Sequence, residues 1–168
     1  MAEEPIAAIY TSDLSRARET ALAIGHTTGQ VVQTHESLRE RAFGVLQGQS
    51  HAEIEADWPA QAQLWRHRDP DWAPEGGESL SALRQRITQT AAQLAAQHPG
   101  EQIVLVAHGG VMDALYRAAT GHALHTPRTW HLGNAAINRL LWTPQGLSLV
   151  GWADTRHLDA GTRDETTA

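Results

Sequence analysis

The run Ile103-Val104-Leu105-Val106-Ala107 leads directly into His108-Gly109-Gly110. Five apolar residues in a row predict a strand buried on both faces, as in a parallel sheet. A polar side chain at the carboxyl end of such a strand stands where α/β sheets hold their ligands. The glycines let backbone N–H groups approach an anion, and the helix that follows adds the positive end of its dipole. His108 and the backbone of Gly109 are therefore candidates for anion binding; a histidine that only caps a tight turn would look the same. Arg16 is a second candidate. It falls in the first turn of a predicted helix, where a cation opposes the dipole and an anion to be bound would justify it. A solvated surface arginine is the plainer alternative, and Arg18, two residues on, faces another way. Glu40 is the third candidate. It sits between Leu38 and Phe43 in an irregular stretch and suits proton transfer, unless an ion pair with Arg39 or Arg41 uses it up. The ten histidines raise the question of a metal. The close pairs His122/His125 and His125/His131 lack a third ligand and the helical setting zinc sites use, so neither metal nor cofactor is expected.

The elements that must carry these residues alternate between strand and helix. Residues 6–10 read as a buried strand, with Thr11-Ser12-Asp13 offering caps to a helix whose apolar face is Leu14, Ala17, Ala21 and Ile24. That helix is expected to stop near Gly25 and to lead to a short strand at 31–34, which makes a βαβ unit and a parallel pair. Ser50 and Glu53 form a capping-box pattern ahead of a helix that Pro59 interrupts. Ser79 caps an amphipathic helix bearing Leu80, Leu83, Ile87, Ala91 and Leu94, ended by His98-Pro99-Gly100. Residues 136–142 and 147–152 flank Thr-Pro-Gln-Gly, a hairpin with a four-residue loop.

With 168 residues and an apolar share of 41%, the chain can bury a core, which excludes disorder and a disulfide scaffold. No repeat or linker divides residues 1–168, so one domain is expected, with residues 159–168 a frayed tail. There is no cysteine, so thiolate nucleophiles and iron–sulfur clusters are excluded. There is no lysine either, which excludes Schiff-base chemistry. The net charge of −6 argues against broad nucleic-acid binding. No run approaches a membrane span and no signal peptide is visible, so no membrane partner and a cytoplasmic location are expected. The sequence is silent on oligomeric state.

Five segments in order resemble the histidine phosphatase superfamily, the phosphoglycerate mutase-like proteins. They are Tyr10 to Ala21 around Leu-Ser-Arg16-Ala-Arg-Glu-Thr, Leu38 to Gly48 around Glu40-Arg-Ala-Phe-Gly, Gly76-Gly-Glu-Ser79, Val104 to Gly110, and Trp152 to Leu158. The resemblance implies a three-layer α/β/α sheet, mostly parallel, with a C-terminal hairpin. It implies a small phosphate ester as substrate and a phosphoryl group passed through a phosphohistidine. It assigns Arg16 as phosphate clamp, Glu40 as proton donor or base, and His108 as the second pocket histidine. The backbone at Asn134 and Ala135 would line the same pocket. The family's nucleophile is the His of an Arg-His-Gly motif ending its first strand, and no Arg-His-Gly occurs here. Arg66-His67 precedes Arg68, and Arg156-His157 precedes Leu158. The first strand and first helix of that fold are expected to be missing, from a start placed too far downstream or a truncated copy. That would open the sheet between the His108 strand and the strand holding Ile137. The readings left open are a phosphatase lacking its nucleophile, a phosphoglycerate mutase, and a phosphate-binding protein without turnover.

Overall fold

A computed structural model describes residues 5–159 of the chain; the expected frayed tail falls, apart from Asp159, outside them. Three parallel strands build the main sheet: β1 (Ala8–Thr11), β2 (Val32–Thr34) and β3 (Ile103–Val106), in the order β2-β1-β3. Ile9 pairs with Val32 on one side and Val104 on the other. The apolar run of β1 lies in the middle, and all four of its residues are buried. Helix α1 (Ser15–Thr28) covers one face, where Ala21 and Ile24 pack with Ile6, Ile9, Val32, Val104 and Val106. The other face carries α4 (Leu80–Ala96) and α5 (Gly109–Thr120). Their Leu83, Ile87, Ala91, Val111, Ala114 and Leu115 form one core, against which Leu105, Ala107, Leu140 and Leu147 pack. Strand runs that are apolar on both faces thus receive helices on both faces, giving the three-layer α/β/α architecture.

Helix α1 does not stop at Gly25. It continues to Thr28 and ends on Gly29, whose φ of 71° makes the left-handed cap. Gly25 is buried within the helix because a Cβ there would come 2.8 Å from the Gln30 carbonyl oxygen. Its role is close packing and not termination. Between the first two strands and α4, α2 (His51–Asp57) and α3 (Pro59–His67) form a satellite layer. Ser50 Oγ accepts from the Glu53 amide and Glu53 Oε2 from the Ser50 amide, so the capping box is complete. Pro59 opens α3 from its first turn, where its missing N–H costs nothing. Leu46, Ile54 and Ala62 make the layer's core, and Phe43 stacks on Trp65 at 5.0 Å.

The hairpin is β4 (Ile137–Thr143) and β5 (Gly146–Asp154). Thr143 pairs with Gly146, so the turn between them is two residues and not four; Gly146 takes a φ of 134° that a side chain would resist. The hairpin is a sheet of its own. Among the described residues β3 pairs only with β1, and β4 only with β5. All four residues of β3 are half-buried, in contrast to β1.

Candidate active site

His108 is the residue that starts α5, in extended conformation just beyond the end of β3. It is 7% exposed, and its Nε2 is buried without a partner. Buried polar atoms are ordinarily hydrogen-bonded, so this one still has the capacity to take a partner. Burial pushes the imidazole below its ordinary pKa of 6.5, and the Arg16 cation pushes it the same way. Glu40 and Asp13 pull in the opposite direction but less strongly. The ring is therefore neutral at pH 7, and an arriving anion would favour its protonated, doubly donating form.

Glu40 is fixed from both sides by backbone. Its Oε1 accepts from the Arg41 amide at 2.8 Å and its Oε2 from the Gly110 amide at 3.0 Å. The ion pairs that would have occupied it do not form. Arg39 turns to Asp13, with its Nε 2.7 Å from Oδ1, and Arg41 donates to the Glu78 carbonyl at 2.8 Å. Glu40 is thus the anion on the N-terminus of α5, a long-range cap across 70 residues of chain. Gly110 is needed for this approach, because a Cβ there would lie 2.3 Å from Glu40 Oε1. The Gly109 amide remains without a partner among the described residues.

Arg16 lies in the first turn of α1, exposed, with no side-chain hydrogen bond among the described residues. The turn before it is anchored to the His108 strand, since the Ser12 amide donates to the Val106 carbonyl at 3.1 Å. Ser12 Oγ then accepts from the Leu14 amide at 3.2 Å. Asp13 is held below the usual carboxylate range by the Arg39 guanidinium. The carboxyl ends of β1 and β3 thus bring Arg16, Asp13, His108 and Glu40 within electrostatic reach of one another. Asn134 and Ala135 are exposed on the loop before β4, Ala135 at a left-handed φ of 55°. Among the described residues neither bonds to His108, Glu40 or Arg16, and the hairpin that follows them makes no backbone pairing with the sheet that holds His108.

Next to Gly110 is a cavity of about 130 Å³ that no local sequence pattern foreshadows. Arg41, Trp65, Arg68, Gly110, Asp113 and Arg128 are in its wall. Asp113 receives Arg68 Nη2 and Arg117 Nε on the same oxygen, each at 2.9 Å, while its Oδ1 is buried without a partner. Arg117 is fully buried and also donates to Ala123 and Thr126, which ties down the loop after α5. Helical spacing of Asp113 and Arg117 was a legible signal for one of these contacts. Arg68, 45 residues from Asp113, had no such signal.

Fold and site together define an α/β protein with Arg16, Glu40 and His108 grouped near the carboxyl ends of its strands. Residues 1–155 match the histidine phosphatase superfamily (branch 1), and the chain belongs to that family. It is 39% identical over 147 residues to a glucosyl-3-phosphoglycerate phosphatase of Mycobacterium tuberculosis, covering 81% of this chain and 66% of that protein. It is 34% identical over 161 residues to a metal-independent phosphoserine phosphatase of Arabidopsis thaliana, covering 94% and 66%. A mycobacterial glucosyl-3-phosphoglycerate phosphatase solved with VO3 superposes with a TM-score of 0.78 at 35% identity, over 92% of this chain and 79% of that one. The chain thus spans about two thirds of the length of these curated relatives.

Proposed function

We propose that this chain carries the phosphate-handling groups of a phosphoric monoester hydrolase that works through a phosphohistidine. The observation behind this reading is the buried, unpartnered Nε2 of His108 beside the Arg16 cation and the tethered Glu40. Arg16 holds non-bridging phosphoryl oxygens through its fork of donors. His108 donates to the charge that grows on them, in a site prearranged for that purpose. A phosphomonoester that enters as its monoanion brings the proton that Glu40 passes to the ester oxygen as the P–O bond breaks and a P–N bond forms on the nucleophilic imidazole. Glu40 then takes a proton from water as the P–N bond is hydrolysed, so ester and water become alcohol and phosphate.

His108 is not the nucleophile in this reading, because its position at the start of α5 suits a donor to the phosphoryl oxygens. The nucleophile belongs on a strand beside the unpaired edge of β3, whose carboxyl end would bring it next to His108. Names of the relatives support a small phosphate ester as the substrate. The test is phosphate release from p-nitrophenyl phosphate by the purified 168 residues. No turnover is expected from them alone, together with phosphate binding that Arg16→Ala weakens. Robust turnover abolished by His108→Ala would make His108 the nucleophile and overturn this assignment. Isomerisation of phosphoglycerate in place of phosphate release would make the protein a mutase.

A further inference from the structure

The segment Gly76-Gly77-Glu78-Ser79 lies outside the group formed by Arg16, Glu40 and His108, yet it packs along the stretch that carries Glu40. Residues 40–42 belong to no helix or strand, so their placement depends on what they touch. Glu78 ties them down on three sides. Its amide donates to the Ala42 carbonyl at 2.8 Å. Its carbonyl accepts from Arg41 Nε at 2.8 Å. Its carboxylate takes Arg86 as a two-pronged pair, Nε to Oε1 at 2.8 Å and Nη2 to Oε2 at 2.7 Å. Phe43 and Gly77 are joined by an antiparallel bridge. Gly77 permits that approach, because a Cβ there would lie 2.9 Å from the Ala42 carbonyl oxygen.

Arg86 reaches the same stretch from α4. Its remaining nitrogen, Nη1, donates to the Ser37 carbonyl at 2.7 Å and to the Arg39 carbonyl at 3.1 Å. The Arg39 carbonyl belongs to the planar peptide group that leads into Glu40. Fixing that plane fixes the direction in which the Glu40 side chain leaves the backbone. The helix sets Arg86 up for this. Ser79 Oγ accepts from the Ala82 amide at 3.1 Å and caps α4, and Arg86 follows seven residues later, about two turns on. Four acceptors in two directions suit a planar guanidinium and not the single point of an ammonium. The two side chains are only 25% and 16% exposed, so water screens the pair less than it would a surface pair.

We propose that Glu78 and Arg86 are positioning residues for Glu40. They hold the chain on both sides of it and act on the reaction through it alone. Together they aim its two carboxylate oxygens at the Arg41 and Gly110 amides. Without the pair, residues 39–41 lose their anchor and the carboxylate leaves the start of α5. This rests on reading Glu40 as the group that moves the proton.

The Gly110 and Arg41 amides report where Glu40 is, whatever chemistry it performs. Their proton resonances and hydrogen exchange can be followed in the purified chain. Glu40→Gln should shift both resonances upfield, which defines the signature; resonances that it leaves in place overturn the proposal. Arg86→Gln should shift both the same way and quicken exchange at Gly110 about ten-fold, the loss of one hydrogen bond to a charged group. The Met112 amide, which donates to the His108 carbonyl within α5, should stay in place. If Arg86→Gln does not fold, Glu78→Gln is read in the same way, since it keeps both backbone bonds and loosens only the fork. A pair that merely stabilises the fold would lower the melting temperature and leave the Gly110 and Arg41 resonances unmoved, and that result overturns the proposal. Shifts spread evenly along α5, Met112 included, overturn it too. Calorimetry with inorganic phosphate reports on the other reading. If the unaltered chain binds no phosphate while Arg86→Gln still frees the two amides, the placement of Glu40 stands and its part in phosphoryl transfer falls.

Discussion

Three side chains from distant parts of the chain converge because each is attached to a rigid end. Arg16 starts a helix, His108 starts another, and Glu40 is clamped by two amides. The histidine carries a pH signature. Its folded pKa lies below the unfolded value of 6.5, so the unfolded chain binds the extra proton first. The stability that comes from keeping it neutral is present above about pH 6.5 and is lost as the pH falls through the lowered value. Calorimetric melts from pH 8 to pH 5 should show the melting temperature falling on the acid side, and His108→Gln should make that fall shallower. An identical slope in the variant would show that His108 is not the group being titrated. Glu40→Gln has a different expected outcome. A glutamine keeps one acceptor oxygen but turns its NH2 toward the other backbone amide, so stability should fall by about 1–3 kcal/mol. Any proton transfer through Glu40 would be lost, which phosphate-release kinetics on a turnover-competent form would show.

At the scale of elements, two glycines and one buried ion pair hold the site together. Gly110→Ala would force a methyl onto Glu40 Oε1, at 2.3 Å in the present geometry. Overpacking of this kind costs about 1–3 kcal/mol, and here it should also displace Glu40 from the start of α5. A melt shows the first effect; a weakened response of phosphate binding to Glu40→Gln shows the second. Gly44 is tighter still, with a φ of 51° and the Glu75 carbonyl 2.0 Å from where a Cβ would be. Arg117→Met would leave Asp113 buried with Arg68 as its sole cation. Breaking such a pair from one side costs about 3–5 kcal/mol, and the lower figure is expected because Arg68 remains. Urea denaturation of the variant measures it; an unchanged midpoint would mean that the loop after α5 is held by other contacts. Most elements were legible from periodicity and capping, as with Ser50/Glu53 and Ser79. The misreadings have physical causes. Gly25 looks like a helix stop because glycine usually is one, but its small size is used for packing against the Gln30 carbonyl. The hairpin turn looked longer because Thr143 and Gly146 give no sequence sign that they pair.

Across the whole molecule, the sheets have open edges among the described residues. β1 is paired on both sides, while β3 and β4 each have one unpaired edge among the described residues. Hydrogen exchange should therefore protect the amides of β1 more strongly than those of β3 and β4 that point to the open edges. Equal protection would mean that something covers those edges in solution. Among the described residues no pairing joins the His108 strand to the Ile137 strand, where the family resemblance implies a further strand. The arginine-lined cavity was not foreseeable, because Arg41, Arg68, Asp113 and Arg128 are scattered over 88 positions with no local pattern, and only tertiary packing joins them. The central claim is that Arg16, Glu40 and His108 form a phosphate pocket. Titration of the purified chain with inorganic phosphate, followed by calorimetry, tests it most directly. One site per chain is expected, weakened at least about ten-fold by Arg16→Ala and accompanied by proton uptake that His108→Gln abolishes. Failure to bind phosphate at millimolar concentration, or binding that neither substitution changes, would contradict the account.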